Sequence, residues 1–107
     1  MTTWRYKEFK QWEADGFPNT TESLNVTTLN LGGNKLRNLP AEIGQLTNLQ
    51  YLSVYNNQLT NLPTEIGQLT NLQQLILERN KLRELPAEIG QLTNLQYLSV
   101  FYNKLTN

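Results

Sequence analysis

The chain has 107 residues, nine Lys+Arg against nine Asp+Glu, and neither cysteine nor histidine. That length holds one domain with a modest core. Without cysteine there are no disulfides or thiolate metal sites, and without histidine the commonest general base and metal ligand is gone. The balanced charge and the lack of any linear basic run argue against a backbone-driven nucleic-acid binder.

The first residues, Met1-Thr2-Thr3-Trp4-Arg5-Tyr6-Lys7, carry no apolar signal region, and no stretch is apolar enough to span a membrane. A soluble cytoplasmic protein is the expectation. Trp4, Phe9 and Trp12 fall within a ~140° arc at ~100° per residue, with Lys7 and Lys10 on the other side. This predicts a short amphipathic helix over Thr3–Ala14, ended by Asp15-Gly16 and barred from continuing by Phe17-Pro18. Residues 1–25 read as a cap over the apolar end of the domain formed by residues 26–107; a docking or membrane-surface helix is the alternative. The mixed charge, with Glu8 and Glu13 beside the lysines, argues against anionic lipid.

From residue 26 the chain repeats. Residues 39–54 and 85–100 are both LPAEIGQLTNLQYLSV, and LPTEIGQLTNL at 62–72 lies midway, so the period is 23. The units are 26–48, 49–71, 72–94 and a partial 95–107. They open with VTTLNLGGNKL, LQYLSVYNNQL, LQQLILERNKL and LQYLSVFYNKL, a common L-x-x-L-x-L-x-x-N-x-L pattern with Val for Leu at the first or sixth place. Positions four and six alternate around a polar residue, which is strand periodicity. One unit cannot bury its own leucines, so units stack and add parallel strands. Asn34, Asn57, Asn80 and Asn103 fall where the chain leaves the strand. There an inward amide can satisfy the turn's backbone groups, so the column reads as structural.

The return limb is L-P-x-E-I-G-Q-L-T-N. Pro40, Pro63 and Pro86 fit a first helical turn, and the stretches after them are long enough only for one turn of α or 3-10 helix. Ile43, Leu46 and their equivalents face the core; Gly44, Gly67 and Gly90 are expected to permit a tight helix exit. Thr47-Asn48 and its copies turn into the next strand.

This unit resembles the 23-residue leucine-rich repeats of small bacterial proteins, notably spirochaete and cyanobacterial ones, with similar units in plant Ras-group repeats and large DNA viruses of amoebae. The specific element, E-I-G-x-L-x-x-L, stands at residues 42–49, 65–72 and 88–95. The resemblance covers about 26–107. It implies an α/β right-handed solenoid, with short parallel strands on a concave face that binds other proteins, short helical turns on the convex face and an N-terminal helical cap. Secreted members often carry cysteine-rich caps, which this sequence lacks, and the last unit shows no cap of its own.

Positions two, three, five, seven and eight of each unit are expected to face solvent on the concave side. They bring together Tyr51, Tyr55, Ile76, Tyr97, Phe101 and Tyr102, with Glu78 and Arg79 as a central polar pair. Clustered exposed aromatics are typical interface anchors; lateral packing between strands is the alternative reason for them. Residues 34–54 and 80–100 differ only at Asn38 versus Glu84, so Gln50/Gln96, Tyr51/Tyr97 and Ser53/Ser99 are identical on a face expected to be exposed. Duplication of a two-repeat block, or construction from a repeated module, explains that identity.

Two functions remain in view. One is a non-catalytic module that binds an unidentified protein or peptide on the concave aromatics. The other is self-assembly, a homodimer through the uncapped last repeat or the concave face. Catalysis has no support: Asp15 is the only aspartate, Glu42, Glu65 and Glu88 are spaced as solvated convex residues, and Gly32-Gly33 does not make a phosphate loop. No cofactor, metal, nucleic acid or membrane is expected.

Overall fold

Two inward apolar side chains separated by one residue can enter a core together only from an extended chain, so each unit supplies one short strand. The computed structural model, which describes residues 2–106, has five: β1 (Thr2–Arg5), β2 (Val26–Asn30), β3 (Tyr51–Ser53), β4 (Gln74–Ile76) and β5 (Tyr97–Ser99). They form one parallel sheet in sequence order. The register advances by one period at each step, pairing Leu29 with Leu52, Leu52 with Leu75 and Leu75 with Leu98. The result is a solenoid with principal extents of 39 × 29 × 19 Å.

On the opposite face the return limbs form 3-10 turns at Ala41–Gln45, Thr64–Gln68 and Ala87–Gln91. Each proline caps its turn from outside rather than sitting in the first helical turn. Pro40, Pro63 and Pro86 are extended, and their carbonyls accept from the N–H of Ile43, Ile66 and Ile89, each at 3.1 Å. The core runs between the layers: Leu29, Ile43, Leu46, Leu52, Ile66, Leu69 and Leu75 are all fully buried.

The glycines of the return limb do not serve a left-handed exit, since none of them has a positive φ. Gly44 and Gly67 instead allow neighbouring turns to touch. A Cβ on Gly44 would stand 3.0 Å from the Glu65 carbonyl oxygen, and one on Gly67 would stand 2.9 Å from that of Glu88. Gly90 has open space around it.

The N-terminal segment departs from the expected helix at its start. Residues Thr2–Arg5 are a strand, parallel to β2 with a register shift between Thr2 and Thr3; the helix α1 runs over Tyr6–Ala14 and a short α2 over Thr21–Leu24. Trp4 thus reaches the aromatic cluster from a strand. Its ring lies 5.6 Å from that of Trp12, which packs in turn on Phe9 at 5.9 Å and edge-on to Phe17 at 4.9 Å. The Trp12 indole N–H donates to the Pro18 carbonyl at 2.9 Å, so its burial leaves nothing unsatisfied. The Arg5 N–H donates to Glu8 Oε1 at 2.8 Å, capping α1 and holding that carboxyl below its ordinary value. At the other end Asp15 is the C-cap, and Gly16 is left-handed at φ 85°.

Candidate functional site

The strand face is held by its exits. Asn57 Nδ2 donates to the carbonyls of Leu31 and Val54, each at 2.9 Å, while its Oδ1 accepts from the N–H of Asn34 and Leu36, each at 3.0 Å. Asn80 repeats this against Val54, Leu77 and Leu59, and Asn103 against Leu77, Val100 and Leu82. Each amide therefore ties its own turn to the one before it.

A second asparagine column, read from sequence only as turn residues, lies at the strand entry. Asn48, Asn71 and Asn94 donate to the carbonyls of Leu24, Thr47 and Thr70 at 2.7, 2.9 and 2.8 Å. Its signal was the same one that revealed the first column, an amide recurring at the period.

A further feature of the exit is its backbone. Position eight is left-handed in every unit: Gly33 at φ 75°, Asn56 at 57°, Arg79 at 58° and Tyr102 at 56°. Glycine and asparagine tolerate that region; arginine and tyrosine are strained there. The turn throws the position-eight side chain outward, past the rim of the sheet.

On the face itself, Thr28, Tyr51, Gln74 and Tyr97 share one cross-strand row, and Asn30, Ser53, Ile76 and Ser99 the next. Tyr51 and Tyr97 are two strands apart with Gln74 between them. Ser53 and Ser99, expected in solvent, are 4% and 2% exposed. They flank the half-buried Ile76, and the Ser99 hydroxyl donates to Glu78 Oε1 at 2.6 Å. Their identity in the two copies therefore has a packing reason that Gln50/Gln96 and Tyr97 lack.

Glu78 and Arg79 engage different partners. The Glu78 carboxylate is taken by Ser99, while the Arg79 guanidinium lies 4.6 Å over the ring of Tyr102. Tyr55, Tyr97, Phe101 and Tyr102 are 41, 49, 66 and 71% exposed. Among the described residues every ring–ring pair belongs to the N-terminal cluster; none joins two rings of the strand face. The lateral contact that does occur is that of Tyr102 with Arg79 of the preceding unit. Among the described residues there is also no acidic group of metal-binding size and no helix long and apolar enough to cross a membrane.

The leucine-rich repeat region family matches residues 5–107. Among solved structures, the chain is similar to a leucine-rich repeat protein of Leptospira interrogans at 62% identity and TM-score 0.75, covering 76% of this chain and 21% of that one. The internalin inlF of Listeria monocytogenes is 29% identical with TM-score 0.68, covering 77% of this chain and 24% of that one. The plant peptide hormone receptor RGFR1, solved in complex with RGF2, is 38% identical with TM-score 0.67, covering 77% and 14%. The chain spans less than a quarter of the length of each of these structures. No curated protein matches it. With its units stacked in register at a period of 23 and its exits bonded by asparagine, the chain belongs to the leucine-rich repeat family.

Proposed function

We propose that the chain is a non-catalytic interaction module that binds a protein or peptide across its concave strands, anchored on Tyr55, Tyr97, Phe101 and Tyr102. Tyr51, Ile76, Glu78 and Arg79 complete the surface. The observation that carries this reading is that the rings of Tyr55, Tyr97, Phe101 and Tyr102 are exposed and do not pack on one another. The core is already filled by leucine, so the fold does not require them there. A structural relative that is a peptide hormone receptor in complex with RGF2 supports the same reading. Exposed aromatic and arginine side chains are the usual hot spots of such contacts.

The test places a photo-crosslinking amino acid at Tyr55 or Phe101, identifies what is captured, and measures its affinity for the purified chain. Tyr55→Ala and Phe101→Ala should each weaken that affinity by at least ~1 kcal/mol. Arg79→Gly removes its side chain while suiting the backbone, and should weaken binding as well. Unchanged affinity in all three would move the site elsewhere. A second reading is pairing of two copies, through the concave face or through Leu98 and Leu105, which are 37 and 36% exposed in this chain. Light scattering coupled to size exclusion decides it. A dimer that persists on dilution, abolished by Leu105→Glu or by Phe101→Glu, supports it; a monomer at every concentration refutes it.

A further inference from the structure

The neutral composition conceals a segregation of charge that only the stacking reveals. Positions ten and twelve of the units carry Lys35, Arg37, Lys81, Arg83 and Lys104, five of the nine cationic side chains. Position eleven between them is a leucine in every unit, and Leu59 and Leu82 are fully buried. The cations on either side of it lie at the surface, Lys35 from a left-handed backbone at φ 57°. All five cations are exposed, and the one ion pair among the described residues, Lys10 with Glu13, lies in α1.

Hydrogen bonds hold this limb in register. The N–H of Gln58, Lys81 and Lys104 donate to the carbonyls of Leu36, Leu59 and Leu82 at 2.8, 2.8 and 2.9 Å. The backbones of Lys81 and Lys104 are therefore about 4.8 Å apart along the stack, which sets two like charges on neighbouring repeats. The second unit breaks the pattern with Gln58 and Thr60, and there a groove of about 360 Å³ opens, lined by Arg37, Asn38, Gln58, Thr60 and Lys81. Amide and hydroxyl side chains line it together with two cations, Arg37 and Lys81.

We propose that this strand-exit flank binds an acidic segment of a protein partner, an extended peptide whose carboxylates bridge the cations of neighbouring repeats. A carboxylate between Lys81 and Lys104 would relieve their repulsion. Asn38, Gln58 and Thr60 can meet peptide N–H and C=O groups in the groove. Single-stranded nucleic acid fits less well, since the groove has no aromatic ring for bases to stack on. The flank shares no residue with the concave aromatic surface.

The test is fluorescence anisotropy of a labelled oligo-glutamate peptide titrated with the full chain at low and at raised ionic strength. Saturable binding that weakens with salt is expected. Lys81→Glu with Arg83→Glu should weaken it at least about tenfold. A control of the same change in net charge, Lys7→Glu with Gln45→Glu and Gln91→Glu, should retain it, as should Tyr55→Ala with Phe101→Ala. That last variant separates this flank from the concave site. Should the reversal variant fail to melt cooperatively, Lys35→Gln with Arg37→Gln in the first unit decides in the same direction. The proposal is overturned by absence of saturable binding, by equal loss in the charge control, or by an oligouridylate of matched charge binding as tightly as the peptide.

Discussion

The buried amide of Asn80 has its polar atoms engaged by backbone: Nδ2 donates to Val54, Leu77 and Glu78 at 3.0, 3.1 and 3.2 Å, and Oδ1 accepts from Leu59 at 3.0 Å. Asn80→Ala leaves the Leu59 N–H without a partner inside the turn, and should cost about 3 kcal/mol or more in urea denaturation. Asn80→Asp should do little better, because a carboxylate cannot donate to three carbonyls. Asn71→Ala, on the exposed entry rim with one bond, should cost about 1 kcal/mol at most; equal losses at the two positions would refute this ranking. The return-limb glycines offer a sharper contrast. Gly67→Ala drives its methyl against the backbone of Glu88 and should destabilise by about 1–3 kcal/mol. Gly90→Ala meets nothing and should be neutral, or stabilising by about 0.4–1 kcal/mol through the unfolded chain. The inward asparagines were legible in the sequence because period and position single them out. The role of Gly67 was not, because its reason lies on another repeat's carbonyl. Ser53 and Ser99 misled for a similar cause: a small residue between larger neighbours is covered by them even on an outer face.

At the scale of the element, the strand exit shows how a backbone conformation can be hidden by side chains. Gly33 and Asn56 advertise a left-handed position, but Arg79 and Tyr102 at the same place conceal it. Neighbouring glycines test whether conformation or space governs the turn. A Cβ at Gly32 would meet only ordinary contacts, the nearest at 3.4 Å, so Gly32→Ala should change stability by no more than ~0.5 kcal/mol. Gly33→Ala has open space but φ 75°, and should cost about 1–2 kcal/mol. A larger loss at Gly32 would mean that packing decides. In the N-terminal segment, Trp4, Phe9 and Trp12 satisfied a helical arc although Trp4 lies on β1. Over four residues, Thr2–Arg5, strand alternation is too short to compete with that arc. What the arc did convey was which rings meet. Trp12 is the hub, and Trp12→Ala should cost about 3–5 kcal/mol in a thermal or urea melt. We expect deletion of residues 1–25 to give insoluble or unfolded protein, because it uncovers β2 and the buried Val26 and Leu29. A soluble truncation that melts cooperatively would show that these residues are not needed as a cap.

Across the whole molecule, each strand pairs only with its neighbours in sequence order, so stability accumulates along one axis instead of around one centre. The same linearity explains what could be read of the candidate surface. Once the period was known, Tyr55, Phe101 and Tyr102 could be assigned to their columns by counting. Their real exposure, and the different partners of Glu78 and Arg79, depended on which hydroxyl or ring lay beside each. The charged flank was open to the same counting, since Lys35, Lys81 and Lys104 share position ten and Arg37 and Arg83 position twelve, but no linear basic run drew attention to it. Linearity also makes a quantitative demand on the leucines. Leu75 and Leu98 occupy the same position one period apart, but Leu75 is flanked by β3 and β5 and fully buried, while Leu98 has β4 on one side and is 37% exposed. Leu75→Ala should therefore cost about 2–5 kcal/mol, and Leu98→Ala well under half of that, since part of its surface already meets water. Amide hydrogen exchange should track the same order. The Leu52 and Leu75 amides should open only with global unfolding, and that of Val100 far more readily. If Leu98→Ala cost as much as Leu75→Ala, or if Val100 were as protected as Leu75, the end of the stack would be covered in solution, and a second copy would be the first candidate to look for by light scattering.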